Sequence, residues 1–124
     1  VKMESHPWNP TLEKIKKQVE ELTQSNFNIV LLNYYRDGKD SNGWHADNEK
    51  ELGTNPVIAS LSFGSERSFQ LKHNLDKNLK KNIVLEHGSL LLMQGTTQHF
   101  WKHQIPKTAK QIGPRINLTF RIIK

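Results

Sequence analysis

The 124-residue sequence has no cysteine. That absence excludes disulfide bridges and thiolate metal sites, and it fits an intracellular protein. No apolar run approaches the roughly 20 residues needed to cross a bilayer, so no membrane attachment is expected. Val1 to Pro10 holds a glutamate, a histidine and two prolines and does not read as a signal peptide. Acidic residues are comparatively few. Twelve Asp and Glu face 18 Lys and Arg, for a net charge of +6 and a pI near 9.7. That balance points to an anionic partner such as nucleic acid, although a lysine-rich surface also keeps small proteins soluble. Internal repeats, low-complexity tracts and a second-domain boundary are also missing, so residues 1–124 are expected to form one domain.

What is present begins with one helix. Asn9 can cap it, Pro10 suits its first position, and Leu12, Ile15, Val19 and Leu22 recur at helical spacing to about Thr23. Its other face, with Glu13, Lys16, Lys17 and Glu20, is expected to be solvated. From Phe27 the period changes to two. Strands are predicted at Phe27–Tyr35, Trp44–Asp47, Val57–Phe63, Arg67–His73, Asn82–Glu86, Ser89–Met93, His99–Ile105 and Arg115–Ile123, separated by Gly- and Asn-rich turns. About eight short strands after one helix, with the core at about 27–123, is the pattern of a mainly β jelly roll.

His45 and Asp47 are two apart, so on a strand both side chains leave the same face. His103, on a late strand, could complete a set of two histidines and one carboxylate, which leaves open metal positions as in non-haem Fe(II) oxygenases. His99 is the alternative third ligand, being four residues before His103 on the predicted strand. His6, His73 and His87 are less convincing places for a ligand. In the last strand Arg115, Asn117, Thr119 and Arg121 share one face, with Ile116, Leu118, Phe120 and Ile122 on the other. The polar face could simply meet water. It could instead present two guanidinium groups to a dicarboxylate, with Asn33 and Tyr35 reaching it from the first long strand. Trp44 and Trp101 point away from the ligands and read as core or rim, and Phe63, Leu90, Leu92 and Met93 read as core. Arg67 is ambiguous, a surface ion pair being its plainest reading.

Five stretches carry a resemblance. They are Asn33-Tyr34-Tyr35-Arg36-Asp37-Gly38, Gly43-Trp44-His45-Ala46-Asp47-Asn48-Glu49, Ile58-Ala59-Ser60-Leu61-Ser62-Phe63-Gly64, His87-Gly88-Ser89-Leu90-Leu91 and Arg115-Ile116-Asn117-Leu118-Thr119-Phe120-Arg121. In this order, from about Trp8 to the C-terminus, they resemble the AlkB family of nucleic-acid alkylation-repair dioxygenases. The likeness is strongest to the branch of the two human nuclear DNA-repair homologues.

The resemblance implies a double-stranded β-helix using Fe(II) and 2-oxoglutarate. His45, Asp47 and His103 match the metal ligands. Arg115 and Tyr35 match residues that hold the distal carboxylate of 2-oxoglutarate, while Asn33 and Arg121, with Asn117 beside them, match residues at its oxalyl end. Glu49 matches an acidic residue near the damaged base.

The implied reaction is oxidative demethylation of N-alkylated bases in DNA, possible also on RNA. It takes O2 and releases succinate, CO2 and formaldehyde. The implied partner is single-stranded DNA or a flipped base, and the protein is expected to act as a monomer, in the cytoplasm if bacterial and in the nucleus if eukaryotic. Two alternatives stay open: a 2-oxoglutarate-dependent hydroxylase of a protein or small molecule, and a metal-binding jelly-roll module without turnover. Members of the family carry a nucleotide-recognition lid ahead of the region matching Trp8, and the sequence from Val1 holds almost none of it. It therefore reads as a fragment or a minimal member, expected to bind iron and 2-oxoglutarate but to demethylate DNA weakly.

Overall fold

The computed structural model describes residues 8–48 and 50–123, together with the backbone of residues 2–5. Helix α1 runs Pro10–Thr23. Its cap forms as the sequence predicts, with Asn9 Oδ1 accepting from the Leu12 N–H at 2.9 Å. Gln24 closes the other end in a left-handed conformation. Val19 is buried, with Leu12 and Ile15 packed beside it, but Leu22 in the last turn stays 75% exposed. Glu20 departs from the expected solvated face. Its carboxylate accepts from the Phe27 N–H at 2.7 Å and so ties the helix to the chain entering the first sheet.

The strands are β1 (Lys2–Ser5), β2 (Ile29–Tyr35), β3 (Asn42–His45), β4 (Ile58–Gly64), β5 (Arg67–His73), β6 (Lys80–Leu85), β7 (Leu90–Met93), β8 (Trp101–Ile105) and β9 (Arg115–Arg121). They form a five-stranded sheet in the order β1-β2-β9-β4-β7 and a four-stranded sheet in the order β3-β8-β5-β6. Every ladder is antiparallel, and the two sheets make the predicted jelly roll. Eight strands match the predicted ones. The ninth, β1, adds to the edge of β2 from a stretch whose prolines and charges gave no strand signal.

Register positions everything functional. β9 lies between β2 and β4, pairing Asn33 with Asn117, Tyr35 with Arg115 and Ser62 with Asn117. Strand alternation then divides the five-stranded sheet. Val30, Ala59, Leu118 and Phe120 face helix α1 and pack with Val19 and Phe27. Phe63, Leu90 and Leu92 join that cluster, as the core reading expects. The opposite face looks into the space between the sheets. There Tyr35, Ile58, Phe69, Leu85, Met93 and Ile105 fill one part with apolar bulk and leave the remainder polar.

Two boundaries differ from the sequence reading. The predicted strand His99–Ile105 begins only at Trp101, because Thr97–Phe100 forms a one-turn helix, α2. β3 ends at His45 after a register shift, which leaves Asp47 beyond the ladder. Gly64 has a φ of +96°, and a Cβ there would lie 2.4 Å from the Pro114 carbonyl oxygen. Only glycine lets β4 turn this close to the start of β9.

Phe120 is fully buried, with ring centroids 6.3 Å from Trp8 and 6.0 Å from Phe27. Phe120→Ala should cost about 3–5 kcal/mol in urea unfolding. A loss under about 1 kcal/mol would show that the helix-facing core does not depend on this ring.

Candidate active site

His45 on β3 and His103 on β8 are direct cross-strand partners, with ring centroids 4.3 Å apart. His103 is also stacked on Phe69, centroid to centroid 5.0 Å. Asp47 follows two residues after His45, and one ligand atom from each of the three lies within 4.8 Å of the others. The His45 Nδ1 is 2.7 Å from the Gly43 carbonyl oxygen. As donor there, it leaves Nε2 with a lone pair for a metal. Two imidazoles and a carboxylate with nearly closed spacing fit a divalent ion of the first transition row.

Asp47 is buried, with a guanidinium at one oxygen and an imidazole near the other. Arg121 Nη2 donates to Oδ1 at 2.8 Å, and His103 Nε2 lies 3.5 Å from Oδ2. Burial works to raise its pKa, but the hydrogen bond from His103 and the charge of Arg121, with smaller contributions from the two histidine rings, outweigh it. The carboxyl group is held below its ordinary value, hence ionised at neutral pH and ready to bind a cation.

The same cavity is lined by Asn33, Tyr35, Ser60, Met93, Arg115, Asn117, Thr119 and Arg121. Arg115 is 2% exposed; its Nη2 donates to Ser62 Oγ at 2.9 Å, and the guanidinium also engages the Tyr35 hydroxyl. Its Nε and Nη1 are buried without a hydrogen-bond partner. A buried guanidinium with two idle donors on a cavity wall fits a carboxylate of an incoming ligand. Burial lowers the pKa of Arg115, and the charge of Arg67 adds to this while Tyr35 opposes it.

Tyr35 stacks against Arg115 on one side, 4.9 Å from its centroid, and against Arg67 at 5.4 Å. Arg67 is not the surface ion pair that the sequence suggests. It is 4% exposed and donates to the carbonyls of Asp37, Asp40 and Pro106. It thereby pins the β2–β3 turn to the loop that follows β8, the two connections between the site-bearing strands.

The structure brings together eight residues singled out in the sequence: His45, Asp47, His103, Asn33, Tyr35, Arg115, Asn117 and Arg121. Two of them are already engaged. The Asn117 amide donates to Ser60 Oγ and Leu61 O and accepts from Thr119 Oγ1, and Arg121 holds Asp47. Glu49 and His6 lie outside the described residues. His99 is exposed on α2 and does not share a strand face with His103. Trp44 lies at the rim, 39% exposed under Lys72. Met93 both lines the cavity and belongs to the core.

Sequence reasoning missed Ser62, Gln98 and the inward role of Arg67. The alternation Ile58, Ser60, Ser62 on β4 carried a signal for the serines. Nothing local marked Gln98.

Residues 1–121 match the 2OG-Fe(II) oxygenase superfamily. The chain is 46% identical over 132 residues to mouse alpha-ketoglutarate-dependent dioxygenase alkB homolog 3, covering 99% of this chain and 46% of that protein. It is 42% identical over 124 residues to human DNA oxidative demethylase ALKBH2, covering 94% of this chain and 48% of that protein. The solved structure of OsALKBH1 superposes with a TM-score of 0.71 at 21% identity, covering 94% of this chain and 65% of that one. That likeness bears on the fold alone. The chain spans about half the length of the curated relatives it matches.

Burial, more than any neighbour, raises the Tyr35 pKa above 10.0, against the lowering effect of Arg115, Arg67 and Asn42. The phenol therefore stays protonated through neutral pH and can donate into the cavity. Because the folded value is the higher one, this stability is present below pH 10 and is lost as pH rises through the folded pKa. Tyr34 is the other tyrosine, so the ultraviolet titration of the unaltered chain minus that of Tyr35→Phe should isolate one phenolate step displaced above pH 10. A difference step at or below pH 10 would contradict the placement of Tyr35.

Proposed function

The chain belongs to the AlkB family within the 2OG-Fe(II) oxygenase superfamily, and from that premise we propose that it oxidatively demethylates N-alkylated bases in nucleic acid. His45, Asp47 and His103 would hold Fe(II), and Arg115 with Tyr35 would hold one carboxylate of 2-oxoglutarate. The observation that carries this reading is Arg115: a buried guanidinium whose Nε and Nη1 have no partner, lining the same cavity as the His-Asp-His cluster. A metal-binding module without turnover has no use for such a donor.

Iron, when bound with 2-oxoglutarate and O2, supplies the oxidant that hydroxylates an N-methyl carbon, after which formaldehyde leaves. The protein's share is orientation and exclusion. Arg115 anchors the far end of the dicarboxylate by a bidentate fork. The protonated Tyr35 can donate to the same carboxylate. Arg121 keeps Asp47 ionised and aimed, while Phe69 and His45 hold the ring of His103. The apolar wall of Phe69, Leu85, Met93 and Ile105 limits water around the reacting groups.

Net positive charge suits a phosphate backbone, so oligonucleotide affinity should fall steeply with salt. Single-stranded DNA or a flipped base is the favoured substrate form, with RNA a further target. The reading extends to a monomer acting inside the cell.

The chain with Fe(II), 2-oxoglutarate and O2 is predicted to release formaldehyde from N-methylated oligonucleotides in step with succinate. Arg115→Ala should raise the KM for 2-oxoglutarate and cut turnover at least tenfold, the cost of about 1.4 kcal/mol of lost pairing. Formaldehyde from methylated peptides, with none from oligonucleotides, would instead mark a protein hydroxylase.

A further inference from the structure

Asp47 has a difficulty that its metal-binding role does not resolve. It lies past the end of β3, so no strand ladder takes its backbone N–H, and the residue is only 5% exposed. A buried amide of this kind needs a partner from elsewhere in the chain. Gln98 supplies it. The Gln98 Oε1 accepts from the Asp47 N–H at 2.8 Å, across 51 residues of sequence.

The geometry points to Gln98 as a positioning residue for the metal site: its amide fixes the Asp47 backbone so that the carboxylate meets the ion.

Three features support this beyond the single bond. Gln98 is 1% exposed and ranks among the largest fully buried side chains, an unusual place for an amide. Its orientation is set by a second contact, Nε2 to Met93 Sδ at 3.4 Å, which leaves Oε1 facing Asp47. The turn of helix α2, which replaced the expected start of β8, is what carries Gln98 inward while His99 and Phe100 stay exposed.

Asp47 is thus held at both ends. Gln98 fixes the backbone, and Arg121 fixes the carboxylate at 2.8 Å. In a three-ligand site, freedom at the carboxylate spreads the donor atoms that an ion needs close together. Outer contacts that orient ligands typically change metal affinity tenfold to a hundredfold when removed.

This role rests on the His45–Asp47–His103 metal reading, and Co(II) titration of the whole chain under argon separates the two. Gln98→Leu removes the acceptor at similar volume, and Gln98→Asn keeps an amide but falls one methylene short. Both should bind Co(II) about tenfold to a hundredfold more weakly. Gln98→Glu keeps an oxygen at the original reach and should recover most of that affinity. Metal-free thermal midpoints of the same proteins report packing alone.

Leucine and asparagine variants that bind Co(II) as tightly as the unaltered chain would overturn the role. So would losses in all three variants that simply follow their lowered midpoints. If the leucine variant does not fold, the asparagine–glutamate contrast decides. Failure of the unaltered chain to bind Co(II) would overturn the metal site itself, and this role with it.

Discussion

The register of β9 is the constraint on which the rest depends. Its inward row, Arg115, Asn117, Thr119 and Arg121, and its outward row, including Leu118 and Phe120, cannot exchange places. A slip of one residue would drive two guanidinium groups into the cluster beneath helix α1 and open Phe120 to the cavity. Burial of the outward row fixes the inward one. The helix-facing core thus supports the site even though none of its side chains lines it.

Putting arginines inside a small domain is costly unless something answers their charge. The two are answered differently. Arg121 is matched within the protein by Asp47, and the pair keeps a carboxylate ionised next to two histidines. Arg115 meets only neutral partners, the Ser62 hydroxyl and Tyr35, and its Nε and Nη1 stay idle. Positive charge therefore builds at one end of the cavity and a cation-binding cluster at the other. That division suits a chelating dicarboxylate next to a metal.

Much of this was legible in the sequence because it depends on period. Alternation alone placed Arg115, Asn117, Thr119 and Arg121 on one face and put Asn33 with Tyr35. His45 and Asp47 were paired by a spacing that presumed a strand. They do converge, although the strand stops at His45 and the carboxylate arrives by a different route. Long-range and irregular features were not legible. Arg67 looks like any surface cation until three carbonyls from two loops surround it. Gln98 is invisible because its partner is 51 residues away and its own segment bends into a helical turn where period two suggested a strand. The edge strand β1 arises from backbone pairing with β2, which side-chain patterning does not report.

If one cavity holds a metal and 2-oxoglutarate together through His45, Asp47, His103 and Arg115, a crystal structure of the chain grown with Mn(II) and 2-oxoglutarate will show both in it. The ion should sit on the two imidazoles and the Asp47 carboxylate, with the far carboxylate of 2-oxoglutarate on Arg115 Nε and Nη1. A dicarboxylate bound elsewhere, with those two nitrogens still idle, would contradict the account.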